Sequence, residues 1–304
     1  MNPVNPIFLA GPTAVGKSAV ALALAEKMGG EIISVDSMQV YRGLDIGTAK
    51  PTAEERQRVP HHLLDICELN EAFDAAQFIR LAQKAVEEIQ SRGRTPIFCG
   101  GTGLYFKVFL DGLGEAPPAD EKLRAELEAA PFAALLAELR ERDPAAYEKI
   151  DKQNPRRVIR AVEVIRLTGK RFSEQRAEWK SGESKVQSPK SKVIFCFTRS
   201  ADDLHRRINV RMDEMFARGL VDETRELLKC GLAENKVAMQ AIGYRQVVEH
   251  LRGERDLAAT MELVKIRTRQ FAKRQLTWFR RHGKCAWLDL NPGENIEQTL
   301  ARIE

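Results

Sequence analysis

The chain opens on a short apolar run, residues 7 to 10, then a glycine-bearing turn, then a helical apolar pattern from Ala19 to Met28. A second apolar run over residues 31 to 35 stops at Asp36. Short uninterrupted apolar runs alternating with helix-period segments predict buried strands of a parallel sheet joined by crossover helices. Phe78, Leu81, Ala85 and Ile89 mark one face of a helix over about residues 75 to 92, and residues 95 to 99 form a third strand running into Gly100-Gly101. Gly112, Gly114, Pro117 and Pro118 then end the alternation. From Asp120 to about residue 178 the periodicity is helical throughout, without a strand signal. A core strand returns over residues 193 to 197. Helices follow at about 202 to 218, 221 to 229, 246 to 251 and 257 to 279, and a last short strand lies near 286 to 288.

Composition adds less than placement. With 43% hydrophobic and 30% charged residues, 304 positions allow one large α/β core and an accessory domain. The N-terminus carries neither a basic leader nor a long apolar stretch, so a cytoplasmic chain without membrane attachment is expected. Cys67, Cys99, Cys196, Cys230 and Cys285 are scattered without metal-ligand spacing and read as thiols, and the five histidines form no metal or triad pattern. Net charge is only +5. Yet Lys265, Arg267, Arg269, Lys273, Arg274, Arg280, Arg281 and Lys284 follow one another with no acid between them, and Arg156, Arg157, Arg160, Arg166, Lys170 and Arg171 form a second cluster. Such stripes suit phosphodiester backbones; a solvated helix face is the plainer alternative.

The sharpest signal is Gly11-Pro12-Thr13-Ala14-Val15-Gly16-Lys17-Ser18, a GxxxxGK[ST] loop between strand and helix. Its backbone N–H groups and the helix start make an anion cradle. Lys17 can reach a terminal phosphate, and the Ser18 hydroxyl can ligate Mg²⁺. The expected fold is therefore a P-loop NTPase-like parallel sheet flanked by helices, built from residues 1–114 and 192–304, with an all-helical domain inserted over 115–191 and a flexible return linker at 181–192. Asp36 sits where a parallel strand ends, at the edge on which open α/β sheets bind ligands, and is a candidate base. The polar loop Gly47-Thr48-Ala49-Lys50-Pro51 fits a binding wall, and the glycine turn Gly100-Gly101-Thr102-Gly103 permits close approach to a ligand. No aspartate ends the third strand, which weakens a hydrolase reading. Arg207 and Arg211 share a helix face, and either could neutralise a departing phosphate, while Arg206 has surface partners in Asp203 or Asp213.

Taken in order, GPTAVGKS, SVDSMQVYRGLDIGTAKP, PHHLLDI, FCGGTGLYF, NPRRVIRAVEV, AIGYRQ and RQFAKRQLTWFRR make the chain resemble the tRNA dimethylallyltransferases from residue 7 to about residue 281. The resemblance implies transfer of a dimethylallyl group from dimethylallyl diphosphate to the exocyclic N6 of adenosine 37 in tRNAs reading codons that begin with U. It implies Asp36 as the base, Thr13 lining the channel between diphosphate and nucleotide, and Arg211 with Mg²⁺ on Ser18 stabilising the leaving diphosphate. It places anticodon-loop contacts on Asp36-Ser37-Met38-Gln39, Thr102, Arg156-Arg157-Val158-Ile159-Arg160, Gln240-Ala241-Ile242-Gly243-Tyr244-Arg245 and Arg267-Thr268-Arg269-Gln270-Phe271-Ala272-Lys273-Arg274. Eukaryotic relatives often carry a C-terminal zinc finger. No such Cys/His spacing is found here, so the chain resembles the compact bacterial form, and a monomer without an obligate protein partner is expected.

Three other readings stay open at this level. A small-molecule kinase would place ATP in the loop and use the helical insertion as a lid. An adenylate isopentenyltransferase would prenylate a free nucleotide, against which the dense basic run argues. A nucleotide-gated RNA-binding protein would leave Asp36 idle. Labelled dimethylallyl diphosphate offered with tRNA, with AMP, or with no acceptor separates them all.

Overall fold

The computed structural model describes residues 5–114, 116–175, 193–282, 284–291 and 293–303. The expected linker at 181–192 lies outside them, as does the end of the helical stretch at 176–178. The chain divides into two compact units, Met1–Leu110 with Gln187–Glu304, and Asp111–Val186.

The first unit is built on a six-stranded sheet of β1 (Ile7–Ala10), β2 (Glu31–Val35), β3 (His61–His62), β4 (Pro96–Gly100), β5 (Ile194–Thr198) and β6 (Cys285–Asp289). The order is β3-β2-β4-β1-β5-β6 and every pairing is parallel. All five residues of β2 and of β4 are buried, the signature of a sheet covered on both faces. The edge strand β3, only two histidines long, carries no apolar run and left no signal in the sequence. Register explains where ligands can bind. Ala10 lies opposite Gly100, and Gly100 opposite Val35, so β1, β4 and β2 end level. The residues that leave the sheet together are Gly11, Gly101 and Asp36. Between β1 and β4 the connections depart to opposite sides, which opens the crevice that open α/β sheets use for ligands.

Helices cover the sheet with apolar faces. Lys17–Met28 buries Val20, Ala21, Leu22, Leu24 and Ala25, and Ala75–Ser91 buries Phe78, Ala82, Ala85 and Ile89 behind a capping box of Asp74 with Gln77. Phe8 stacks on Phe98 with ring centroids 5.0 Å apart, and Phe78 on Tyr105 at 4.3 Å. The long helix Leu257–His282 sends Val264, Thr268, Ala272, Gln275 and Phe279 inward, at steps of three and four residues. The second unit has its own core of Leu127, Leu135, Leu139, Ala146, Val158, Ala161, Val162 and Ile165, formed by helices that include Glu121–Ala129, Phe132–Arg142 and Pro155–Thr168. Among the described residues, no helix is long and apolar enough to cross a membrane.

Candidate active site

Directly after β1, the loop from Gly11 to Ser18 turns through positive φ at Gly11 (155°), Ala14 (62°) and Gly16 (110°), the last at the N-terminal boundary of Lys17–Met28. These turns leave the outer carbonyls facing arginines. Arg199, the first residue after β5, donates from Nε to the Val15 carbonyl at 2.7 Å, and Arg207 from Nε to the Ala14 carbonyl at 2.9 Å. Arg199 is itself fixed by Asp203 at 2.9 Å and the Leu290 carbonyl at 3.3 Å. Arg206 pairs with the same Asp203 at 2.5 Å, the surface pairing weighed from sequence. Of the two arginines considered for a departing phosphate, Arg207 has its Nε on the Ala14 carbonyl. Arg211 faces the front, its Nη1 donating to Thr13 Oγ1 at 3.5 Å.

Cations predominate here. Burial lowers the pKa of Lys17, the Cys99 thiol raises it, Arg211 lowers it and the Asp36 carboxylate raises it, with a net depression. Burial and the neighbouring Arg207 likewise lower that of Arg211. Cations short of negative partners in a partly dry crevice are what an anion-binding site requires. Burial pushes the Cys99 thiol up to about 11, so it is a neutral wall rather than a nucleophile. The Ser18 hydroxyl is exposed and has no protein partner among the described residues, which suits a cation shared with a bound phosphate. No cluster of three or more His, Cys, Asp or Glu residues that could hold a metal by themselves occurs among the described residues.

Asp36 folds into a tight turn, its Oδ1 accepting from the amides of Met38 at 2.8 Å and Gln39 at 3.3 Å. One oxygen is thus fixed by the backbone. The Ser37 amide donates to Thr102 Oγ1 at 3.2 Å, which ties this turn to the glycine loop after β4. At backbone level Gly11 and Asp36 are two strand spacings apart, about 10 Å. A cavity of about 260 Å³ has Ser18, at the end of the phosphate loop, and Arg211 among its polar lining, and Ala21, Leu22, Ile32 and Met215 as apolar lining.

The loop 47–51 forms part of that cavity wall and is anchored from below. Gln39 Nε2 donates to the Thr48 and Ala49 carbonyls at 3.1 and 3.3 Å. Lys50, nearly fully buried, donates to the Tyr41 carbonyl at 2.6 Å and pairs with Asp45 and Asp65. Glu223 accepts from the Ile46 amide at 2.9 Å and from the Tyr244 hydroxyl at 2.6 Å. A Cβ on Gly47 would sit 2.6 Å from the Tyr244 ring, so only glycine fits there.

The expected tRNA-contact residues divide by burial. Tyr244, Ala241, Gly243, Thr268, Ala272 and Val158 are buried in the free chain. Helical periodicity hides about one residue in three of any such stretch. Arg269 is held by Asn209 at 2.8 Å and Lys265 by Asp213 at 2.8 Å. Arg267, Gln270, Phe271, Lys273 and Arg274 remain exposed, as do Gln240 and Arg245. In the second unit Arg156 and Arg157 are exposed and Ile159 half-buried, whereas Arg160 donates to the fully buried Glu163 at 2.7 Å and to the Pro117 carbonyl. Sequence reading missed Arg199, Glu223 and Gln275. Gln275 left one clue, a polar residue at an inward position of the Leu257–His282 helix, where its Oε1 accepts from the Thr13 amide at 2.9 Å.

Comparison with known proteins identifies the family. The family model described as IPP transferase matches residues 39–282. The chain is 46% identical to tRNA dimethylallyltransferase 1 of Trichlorobacter lovleyi, covering 93% of this chain and 92% of that protein. It is 44% identical to the tRNA dimethylallyltransferase of Geobacter metallireducens, covering 95% and 93%. Among solved structures it is similar to the full-length tRNA isopentenylpyrophosphate transferase of Bacillus halodurans, with a TM-score of 0.70, 40% identity and coverage of 98% and 95%. It is also similar to a eukaryotic dimethylallyltransferase acting on tRNA, with a TM-score of 0.78, 30% identity and coverage of 94% and 74%. The chain belongs to the IPP transferase family.

Proposed function

We propose that this member of the IPP transferase family transfers a dimethylallyl group from dimethylallyl diphosphate to N6 of adenosine 37 in tRNAs reading codons that begin with U. The observation that carries the reading is the level ending of β1, β4 and β2, which brings the anion cradle and the Asp36 carboxylate to one edge of one sheet. The allylic C–O bond breaks, its electron pair leaves with the diphosphate, and the adenine nitrogen bonds to the allylic carbon. Lys17, Arg211 and the amides of residues 14 to 18 stabilise the charge where it builds. The adenine amine is a poor nucleophile because its lone pair is delocalised into the ring. Asp36, with one oxygen held by the Met38 and Gln39 amides, accepts the amine's proton and aims it. Thr13 lies between the two reacting partners. The apolar wall of Ala21, Leu22, Ile32 and Met215 accommodates the five-carbon chain.

The Ser18 hydroxyl would hold Mg²⁺, which would supply positive charge to stabilise the leaving group. The target base has to be splayed out of the anticodon loop, and exposed Arg267, Phe271, Lys273 and Arg274 offer the charge and stacking that offset the unstacking cost of a few kcal/mol. The protein works as a cytoplasmic monomer.

Incubation of the purified chain with labelled dimethylallyl diphosphate and tRNA, AMP, or no acceptor, followed by nucleoside analysis, tests the reading. Label in N6-(dimethylallyl)adenosine from tRNA alone is the expected result, and its loss in Asp36→Ala with tRNA binding retained assigns the base. Phosphorylation of a metabolite from ATP without use of the isoprenoid donor would overturn it.

A further inference from the structure

Gln275 is a neutral residue in the middle of a basic run, and its side chain is buried where the Leu257–His282 helix meets two loops of the site. Its Oε1 accepts from the Thr13 amide at 2.9 Å, and its Nε2 donates to the Gly101 carbonyl at 2.9 Å. Only one orientation of the carboxamide makes both bonds, since the flipped group would set donor against donor and acceptor against acceptor. The linkage continues beyond Gly101. The Thr102 amide donates to the Val35 carbonyl at 3.1 Å, and Thr102 Oγ1 accepts from the Ser37 amide. One side chain therefore stands between the loop that cradles the diphosphate and the turn that presents Asp36. The fit is tight: a Cβ on Gly101 would lie 2.2 Å from Gln275 Nε2 and 3.3 Å from the Gly11 carbonyl.

We propose that Gln275 is a positioning residue for the transfer, setting the separation between the cradle and the Asp36 turn so that allylic carbon and amine meet. The proposal rests on the transferase reading above. Neighbouring strands fix where the two loops leave the sheet but not how the loops lie beyond it. The carboxamide adds such a constraint by bridging the Thr13 amide and the Gly101 carbonyl. Reacting atoms have to come within about 3 to 3.5 Å in alignment, and a displacement of about 1 Å costs about 100-fold in rate. A residue that only satisfied buried polar groups would lower stability and leave the turnover of folded molecules untouched.

Two variants separate these cases. Gln275→Met keeps the length and removes both hydrogen bonds, and Gly101→Ala pushes the carboxamide away by sterics. Rates and KM values for tRNA and dimethylallyl diphosphate are measured on the full chain, well below the melting temperature of each variant. For Gln275→Met, kcat should fall by about 30- to 100-fold, with both KM values within about threefold of the parent. Gly101→Ala should cause a similar fall alone and add less in a Gln275→Ala background, where only the 3.3 Å approach to the Gly11 carbonyl remains, as expected of two changes that share one contact. A kcat for Gln275→Met within about threefold of the parent, or a loss accounted for by the unfolded fraction, overturns the proposal. An inactive parent chain overturns the transferase reading instead.

Discussion

The Lys17 ammonium donates to the Pro12 carbonyl across 3.2 Å, so the cation of the cradle is bent back over its own loop. A diphosphate offers it a stronger partner than that single carbonyl. Lys17→Met should weaken diphosphate affinity by about 10- to 100-fold, the effect of losing a charged hydrogen bond. Affinity for tRNA should be unchanged, and titration calorimetry with each ligand checks both halves.

The same lysine gives the binding a pH dependence of definite sign. Burial and the nearby Arg211 outweigh Cys99 and Asp36, so its pKa lies below the ordinary lysine value in the free protein. A bound anion raises it again. Above the depressed value, binding must then take up a proton, and affinity falls as pH rises through it. Lys17→Arg lacks this component. Proton uptake at alkaline pH, read from calorimetry in two buffers of different ionisation heat, should be smaller in that variant.

At the opposite end of the sheet, buried Glu31 accepts from Arg92 at 2.8 Å and pairs with His62 at 2.7 Å. Burial pushes its pKa up, but the hydrogen bonds from Arg92 and His62 outweigh it and hold the carboxyl below its usual range. A depressed folded value means that stability is present above the unfolded pKa and lost as pH falls through the folded one. Urea melts of Glu31→Gln should show lower stability near neutrality and a flatter decline into acid. An unchanged slope would exclude this carboxylate from acid unfolding.

Tyr244 accepts from the Gly47 amide at 3.1 Å and donates to Glu223, and together they hold the loop that walls the cavity. Tyr244→Phe removes one hydroxyl and keeps the ring against Gly47. A loss of about 1 to 3 kcal/mol in urea unfolding is expected, the range for leaving buried polar groups short of a partner. Glu223→Ala should cost more, because the Ile46 amide loses its acceptor as well.

Charge on the long helix sorts into free and committed residues, and salt dependence can tell them apart. Lys273 and Arg274 are exposed, whereas Lys265 is tied to Asp213. Replacing Lys273 and Arg274 together by Glu should weaken tRNA binding and reduce the slope of log K against log salt by roughly 1.5 or more. Lys265→Ala should leave that slope nearly unchanged. Filter binding over a salt series measures both.

Local patterns carried much of this in the sequence. The cradle is contiguous, and β1, β2, β4 and β5 are apolar runs whose limits lie within a residue or two of those expected. Asp36 was legible because a strand end fixes its edge. What escaped depends on residues far apart in the chain. Arg199 and Gln275 look like any polar residue until the fold sets them on the loop. Burial of Tyr244, Thr268 and Arg160's partner Glu163 likewise arises from packing that no short motif encodes.

The supports of the cradle come late in the chain. Arg199, Arg207 and Gln275 follow their loop partners by 184, 193 and 262 residues. A ribosome therefore delivers the phosphate loop first and its buttresses last, and contacts of such sequence separation form slowly. Nascent or prematurely terminated molecules lacking the Leu257–His282 helix would expose an ill-formed loop, so catalytic competence is deferred until that helix has been made.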